Sequence, residues 1–376
     1  MKIILIGNYL PDKQESMIRF ANLLDEEFKK AGIASEVWTP IALFGSRSQS
    51  TSVGLGKWLG YIDKYILFPF ILGLKSKRLK NEEVRFHICD HSNAPYLKYL
   101  PANHSGITCH DVIAIRGGLG YGDLHQSPSR FGKIQQRWIL SHLSRARYIA
   151  FVSKLTLKQF EELVDLKRPD QTYKVIYNSF NADFRPIRKK EALVILEKFG
   201  INLSTPFLLH VGSGLPRKNR SLLLNMIQSS SEGMSLKVCF AGERLDNELV
   251  NYARQLNIES RVISIVKPDH ETLVALYSAC YAFIFPSFSE GFGWPVIEAQ
   301  ACGAPVIASN IEPMPEVSGG GALHADPNNP EEFIKALAQL EHETDRKQLI
   351  NKGFENGLRF DKQQMIRQYL DLYHIN

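Results

Sequence analysis

Cysteine is scarce in this chain and badly placed for bridging. The five are Cys89, Cys109, Cys239, Cys280 and Cys302, an odd number with no Cys-x-x-Cys pair. A disulfide framework or a thiolate zinc site is therefore excluded, and a reducing compartment, the cytoplasm, follows. Long apolar runs are lacking too. Ile3–Ile6 is only four residues, short of the roughly 7–15 of a secretory signal core. The most membrane-like stretch, Tyr65–Leu74, has ten residues including Pro69, where a spanning helix needs about 20. G-x-x-x-x-G-K-[ST], G-x-S-x-G and H-E-x-x-H are all absent, which removes the P-loop, nucleophile-elbow and zincin chemistries. Asp-x-Asp is absent as well, so no paired carboxylates offer a metal site for a diphosphate.

What remains is ordinary globular material: 44% hydrophobic and 22% charged residues over 376 positions, enough for two domains. Charge is uneven. Residues 1–183 hold 25 Lys/Arg against 17 Asp/Glu, and residues 184–376 hold 20 against 22. A +8 half points to phosphates, a lipid head group or a nucleic acid as partner, against the plainer reading of solvated surface charge. No RNA- or DNA-reading motif accompanies it, so nucleic acid is set aside. Tyr65–Leu74 runs straight into Lys75, Lys77, Arg78 and Lys80. That makes it a core helix with a basic exit or an interfacial element on an anionic membrane. The upstream stripe of Trp58, Ile62 and Ile66 favours core packing.

Short β-rich runs alternate with helix-length patterns. Strands are expected at Lys2–Gly7, Ser35–Trp38, Val84–Ile88, Gly106–His110, Arg147–Val152 and Tyr173–Tyr177. The pattern resets across the polar segment from Asn178 to Arg188. It resumes at Pro206–Val211, Leu236–Ala241, Arg261–Ile265, Ala282–Phe285 and Pro305–Ala308. The reading is α/β: two doubly wound parallel sheets in tandem, with the boundary between Phe180 and Pro206. Ligands on such sheets bind past the carboxyl ends of strands, so the chemistry should follow each strand.

Three constellations lie there. Pro286-Ser-Phe-Ser-Glu290-Gly-Phe-Gly-Trp-Pro295-Val-Ile-Glu298 follows a strand and enters a helix. Its glycines let backbone N–H groups approach a ligand, the helix start suits a phosphate, and Glu290 and Glu298 suit sugar hydroxyls. The plainer alternative is helix capping by two acids. Val211-Gly212-Ser213-Gly214-Leu-Pro-Arg217-Lys218 sets two cations at a helix start, where they oppose the dipole unless a polyanion binds. A dinucleotide fingerprint would need a third glycine at Arg217. Cys109-His110-Asp111 ends a first-half strand, and Gly117–Gly122 after it reads as a mobile loop.

With these residues the chain resembles a retaining glycosyltransferase of the GT-B architecture, in the large family 4 of nucleotide-sugar transferases. Glu290 and Glu298 match the family's E-x7-E motif. Arg217 and Lys218 match its paired cations, and His110 its first-domain histidine. The resemblance implies two Rossmann-like domains facing across a cleft. Residues 1–183 with a returning C-terminal helix, 361–376, would bind the acceptor, and 184–360 the nucleotide-sugar donor. His110, Arg217, Lys218 and Glu290 would be catalytic. Gly212, Ser213, Val266, Lys267, Gly291, Phe292, Gly293, Trp294, Pro295 and Glu298 would hold the donor. Asp111, Gln14 and Glu15 would lie on the acceptor side, although the loop after Gly7 lacks the family's paired glycines. No carboxylate stands out as covalent nucleophile, so front-face return without a metal or other cofactor is favoured. The expected partners are a nucleoside-diphosphate sugar, a glycan or lipid-linked acceptor of the cell envelope or an exopolysaccharide, and the inner face of an anionic membrane. UDP-glucose is the favoured donor, with GDP-mannose the alternative. A nucleotide-sugar epimerase, a nicotinamide oxidoreductase and a non-catalytic nucleotide-binding protein are the rivals.

Overall fold

The strand-forming runs at the middle of each sheet are buried, as parallel strands covered by helices on both faces must be. Ile3, Ile4, Leu5 and Ile6 have no exposed surface, and neither do Phe283, Ile284 and Phe285. The structure is a computed structural model that describes residues 1–47, 51, 54–79, 83–122, 128–164, 168–202, 206–229 and 236–375. Lys80 and Asp123 lie outside the described residues.

The chain divides into two units, Met1–Asn181 with Lys362–Asn376, and Ala182–Asp361. The first unit holds β1 (Lys2–Ile6), β2 (Ala34–Trp38), β3 (Val84–Ile88), β4 (Ser105–Cys109), β5 (Tyr148–Phe151) and β6 (Thr172–Val175). Their order is β2-β1-β3-β4-β5-β6, all parallel. The helix Lys362–Leu372 belongs to this unit, and the residues at its end are anchored in the sheet. The Tyr373 hydroxyl lies 2.6 Å from His87 Nδ1, and the Tyr369 hydroxyl 2.9 Å from Thr108 Oγ1.

The second unit holds β7 (Phe207–Gly212), β8 (Lys237–Gly242), β9 (Val262–Val266), β10 (Ala282–Phe285), β11 (Val306–Ser309) and β12 (Ala322–Ala325). The order is β12-β11-β10-β7-β8-β9, again all parallel. In each sheet one pair of neighbours marks the point where the winding reverses: β1 and β3 in the first, β7 and β10 in the second. Loops leave such a point in opposite directions and open a crevice at the strands' carboxyl ends.

Two expectations are corrected. Residues 54–78 form helices, Gly54–Ile62 and Phe68–Arg78, joined by a π-helical turn over Asp63–Leu67 just before Pro69. Pro69 has no N–H for the carbonyl four residues back, and the wider turn accommodates that gap. The stripe is not core. Leu55 is 75% exposed, Ile66 67% and Phe70 66%, with Trp58 and Leu74 also outward. Only the opposite side, Phe68 and Leu72, packs inward. A run with no polar positions puts apolar side chains on both faces of a helix, and only one of those faces meets the sheet. The second correction concerns the glycines. Gly117 and Gly118 lie inside the helix Ile113–Leu119, and Gly120 caps it in the left-handed region at φ 97°. A Cβ on Gly118 would meet Gln136 at 2.7 Å, so glycine there lets this helix approach Arg130–Leu143. Among the described residues, no helix is long and apolar enough to cross a membrane.

Candidate functional site

The reversal point of the second sheet gathers the charged residues. β7 ends at Gly212, and the chain turns through a short 3-10 helix, Pro216–Lys218. Arg217 and Lys218 thus sit in a turn ahead of the helix Ser221–Ser229, not at its start as expected. β10 ends at Phe285, next to β7, and its loop carries Glu290 back over the same edge. Lys218 Nζ lies 2.5 Å from Glu290 Oε1, and Arg217 Nη1 lies 2.9 Å from Glu290 Oε2. Arg217 Nη1 also donates to the Ser289 carbonyl at 2.7 Å. Lys218 stands over the Phe285 ring, 4.9 Å from its centre.

All but Arg217 of this group is buried, and Arg217 is mostly so. Burial pushes the Glu290 carboxyl up, but Lys218 and Arg217 outweigh it and hold it below the ordinary range. The cluster therefore carries one carboxylate against two cations, a net positive charge in a poorly hydrated place. That suits a polyanion better than water does.

The helix after this loop, Trp294–Ala301, begins on Gly293, which is in the left-handed region at φ 101°. Pro295 lies in its first turn, and no side chain caps it. Capping by Glu290 or Glu298 is thereby ruled out as the reason for these acids. Glu298 is buried one turn in, and the Tyr277 hydroxyl donates to its Oε2 at 3.0 Å. Phe292 packs against Phe360, which holds the loop and leaves Gly291 and Trp294 half-buried beside it. On the other side of β7, Gly212 pairs with Gly242 and Gly242 with Val266. Ser213 follows Gly212, and Lys267 takes a left-handed conformation at φ 47°, its N–H bonded to the Gly242 carbonyl at 2.8 Å. The donor-side residues expected from sequence thus line one sheet edge, from Val266 through Gly212 to Pro295.

The first unit has its own reversal point. Past β1 lies Asn8, and past β3 lies Asp90; Asn8 Nδ2 donates to Asp90 Oδ2 at 2.5 Å. Asn8 also bonds to Gln14, and Asn93 donates to Asn8 at 3.0 Å. Gln14 therefore joins this network, whereas Glu15 faces Arg19 at 3.9 Å. His110, past β4, is buried, with Nε2 donating to the Cys89 carbonyl at 2.9 Å. A carbonyl only accepts, so Nε2 carries the hydrogen and Nδ1 of the neutral ring is an acceptor. Desolvation lowers the His110 pKa despite the nearby Asp90 charge, so the ring stays neutral. The adjacent acid is engaged elsewhere. Asp111 Oδ1 accepts from the Ile113 N–H at 3.0 Å and starts the next helix. Of the two nearby carboxylates, Asp90 acts on His110 more strongly than its sequence neighbour Asp111.

Sequence reasoning does not single out Asn8, Asp90 or Tyr277. Asn8 and Asp90 are within reach of the rule that points to His110, since each lies two residues past the end of a strand. His210 escapes it as well. It is buried beneath the cluster with Nδ1 bonded to the Ile284 carbonyl at 3.1 Å and Nε2 unpartnered, and burial takes its pKa down to about 3. Among the described residues no cluster of three His, Cys, Asp or Glu could hold a metal ion.

Residues 194–356 match the family described as Glycosyl transferases group 1. The O-antigen chain mannosyltransferase B of Escherichia coli is 30% identical over 200 residues, which are 52% of this chain and 52% of that one. The O-antigen chain mannosyltransferase RfbU of Salmonella typhimurium is 28% identical over 207 residues, 52% of this chain and 55% of that one. The chain thus spans about half the length of these curated relatives. Among solved structures, a sucrose-phosphate synthase from Thermosynechococcus elongatus superposes with a TM-score of 0.74 at 18% identity, covering 99% and 98% of the two chains. HepE from Anabaena, solved in complex with UDP and glucose, gives 0.72 at 16% identity over 99% and 98%. These likenesses establish the GT-B fold.

Proposed function

We propose that the protein, whose residues 194–356 match the group 1 glycosyltransferases, is a retaining hexosyltransferase that draws its sugar from a nucleoside diphosphate. The observation that carries this reading is the Arg217–Lys218–Glu290 cluster at the reversal point of a parallel sheet. The two cations would take the diphosphate as its charge grows in the transition state, aided by the positive end of the helix that starts at Trp294. Glu290 holds both cations in position and, with the Gly291–Gly293 backbone, would orient sugar hydroxyls. Glu298, steadied by Tyr277, would take the ribose diol. His110 would accept a hydrogen bond from the sugar at Nδ1.

Both Glu290 oxygens are engaged by cations. Such a carboxylate is a weak nucleophile, which supports front-face return over a covalent glycosyl-enzyme. The departing diphosphate would then take the acceptor's proton.

For the sugar, mannose replaces glucose as the favoured reading. Two of the curated relatives are O-antigen mannosyltransferases. Glucose from UDP-glucose stays as a second reading because HepE was solved with UDP and glucose. The acceptor is then a growing surface polysaccharide. Incubation with GDP-mannose or UDP-glucose and glycan acceptors, with NMR of the product's anomeric centre, tests the proposal. Transfer with retained configuration is expected. Conversion of donor without an acceptor would mark an epimerase, and binding without turnover would mark a non-catalytic protein.

A further inference from the structure

The outward stripe on residues 54–78 does not stand alone. A second apolar stripe, Phe131, Ile134 and Trp138 on the helix Arg130–Leu143, lies beside it. Between the two runs lies a groove of about 450 Å³ with an apolar lining. Its walls are interlocked aromatic rings: Trp58 against Phe131 at 5.3 Å, Tyr65 against Trp138 at 5.2 Å. The polar side chain on this wall, Gln135, is bonded to the Tyr65 hydroxyl at 3.1 Å. The face is thus rigid, apolar and open to its surroundings, which monomeric soluble surfaces rarely are.

The charges around it are of one sign. Residues 54–78 and 130–143 contain eight Lys/Arg and a single acid, Asp63. Asp63 is buried and accepts from the Tyr9 hydroxyl at 2.7 Å and the Gly45 N–H at 2.8 Å, so it does not reach the surface. Lys64 is turned to Asp12 at 2.7 Å. Lys57, Lys77, Arg78, Arg130 and Arg137 are exposed around the apolar face. A second copy of the chain would bring like charges together over this surface, which disfavours a self-interface. Apolar and aromatic side chains ringed by cations match an anionic lipid surface, where chains take the first and head-group phosphates the second.

We propose that this face docks the protein peripherally on an anionic bilayer. Ile66, Phe70 and Leu55 enter the acyl boundary, Trp58 and Trp138 lie at head-group level, and the exposed cations meet lipid phosphates. This docking uses no residue of the donor site and does not rest on the transferase reading.

The test uses the full chain without donor or acceptor, and vesicles of phosphatidylcholine alone or with 30% phosphatidylglycerol. Co-sedimentation should give at least about tenfold tighter binding to the anionic vesicles, weakened by 0.5 M NaCl, with a blue shift of tryptophan emission. The exposed-site variant Ile66→Glu/Phe70→Glu should bind at least about tenfold more weakly, with unchanged circular dichroism and melting temperature. Lys77→Glu/Arg137→Glu should lose the preference for anionic lipid. Three results would overturn the proposal: no binding to anionic vesicles at low salt, undiminished binding by Ile66→Glu/Phe70→Glu, or binding only when a polyprenyl phosphate is added. A wild-type dimer that Ile66→Glu/Phe70→Glu separates into monomers would assign the face to a second copy instead.

Discussion

Lys218 Nζ and Glu290 Oε1 lie 2.5 Å apart although 72 positions separate them in the chain. Only the sheet order brings them together, because β10 pairs with β7 and each loop leaves from the same edge. Removing one partner of such a pair leaves buried charge without compensation, which costs more than removing both.

Glu290→Ala should therefore destabilise the protein by about 3 kcal/mol, since Lys218 and Arg217 would then face one another unshielded. The pair Lys218→Met/Glu290→Gln should cost less than Glu290→Ala alone. Urea denaturation of the wild type and the two variants checks this, and a loss in the double variant equal to or larger than that of Glu290→Ala would contradict it.

Acid should unfold the protein through its buried histidines. Burial lowers the pKa of His87 and of His210 to about 3, while the unfolded chain takes protons near 6.5. The unfolded state thus binds more protons, and stability that is complete above pH 6.5 falls as pH drops toward 3. The slope should be about 1.4 kcal/mol per pH unit for each histidine. Asp90 and Glu290, both held below the usual carboxylate range, add to the loss only beneath that range. Urea midpoints measured from pH 7 to pH 4.5 should show this slope, and His210→Gln should lower it by about one proton.

Gly242 is at φ 125°, and a Cβ there would meet the Gly212 carbonyl oxygen at 2.5 Å. The oxygen belongs to backbone and a Cβ is held rigidly on its Cα, so neither can swing aside. Gly242→Ala should cost about 1–3 kcal/mol and push the end of β7 out of place. Nucleotide-sugar affinity should fall with it by about tenfold, roughly 1.4 kcal/mol. Titration calorimetry on the folded variant reads the second effect.

Much of this architecture is legible because each strand is a short apolar run followed by polar or glycine residues, as at Ile3–Gly7 and Phe283–Pro286. β12, Ala-Leu-His-Ala, escapes because it has no β-branched residue and only four positions. The residues that carry chemistry are legible in kind but not in partnership. Glu290 stands out by its glycines, yet nothing local ties it to Lys218. Asn8 and Asp90 meet only because β1 lies beside β3. The stripe from Leu55 to Leu74 reads as core in the sequence because hydropathy gives a side chain's preference, not which face of its helix meets the sheet.

Equilibrium binding of GDP-mannose to the wild type and to Lys218→Ala is the most direct test of the donor site. The wild type should show saturable one-to-one binding, stronger than for UDP-glucose. Lys218→Ala, with its fold intact, should bind at least about tenfold more weakly, about 1.4 kcal/mol. Absence of saturable binding by any nucleoside-diphosphate sugar, or unchanged affinity in folded Lys218→Ala, would contradict the assignment.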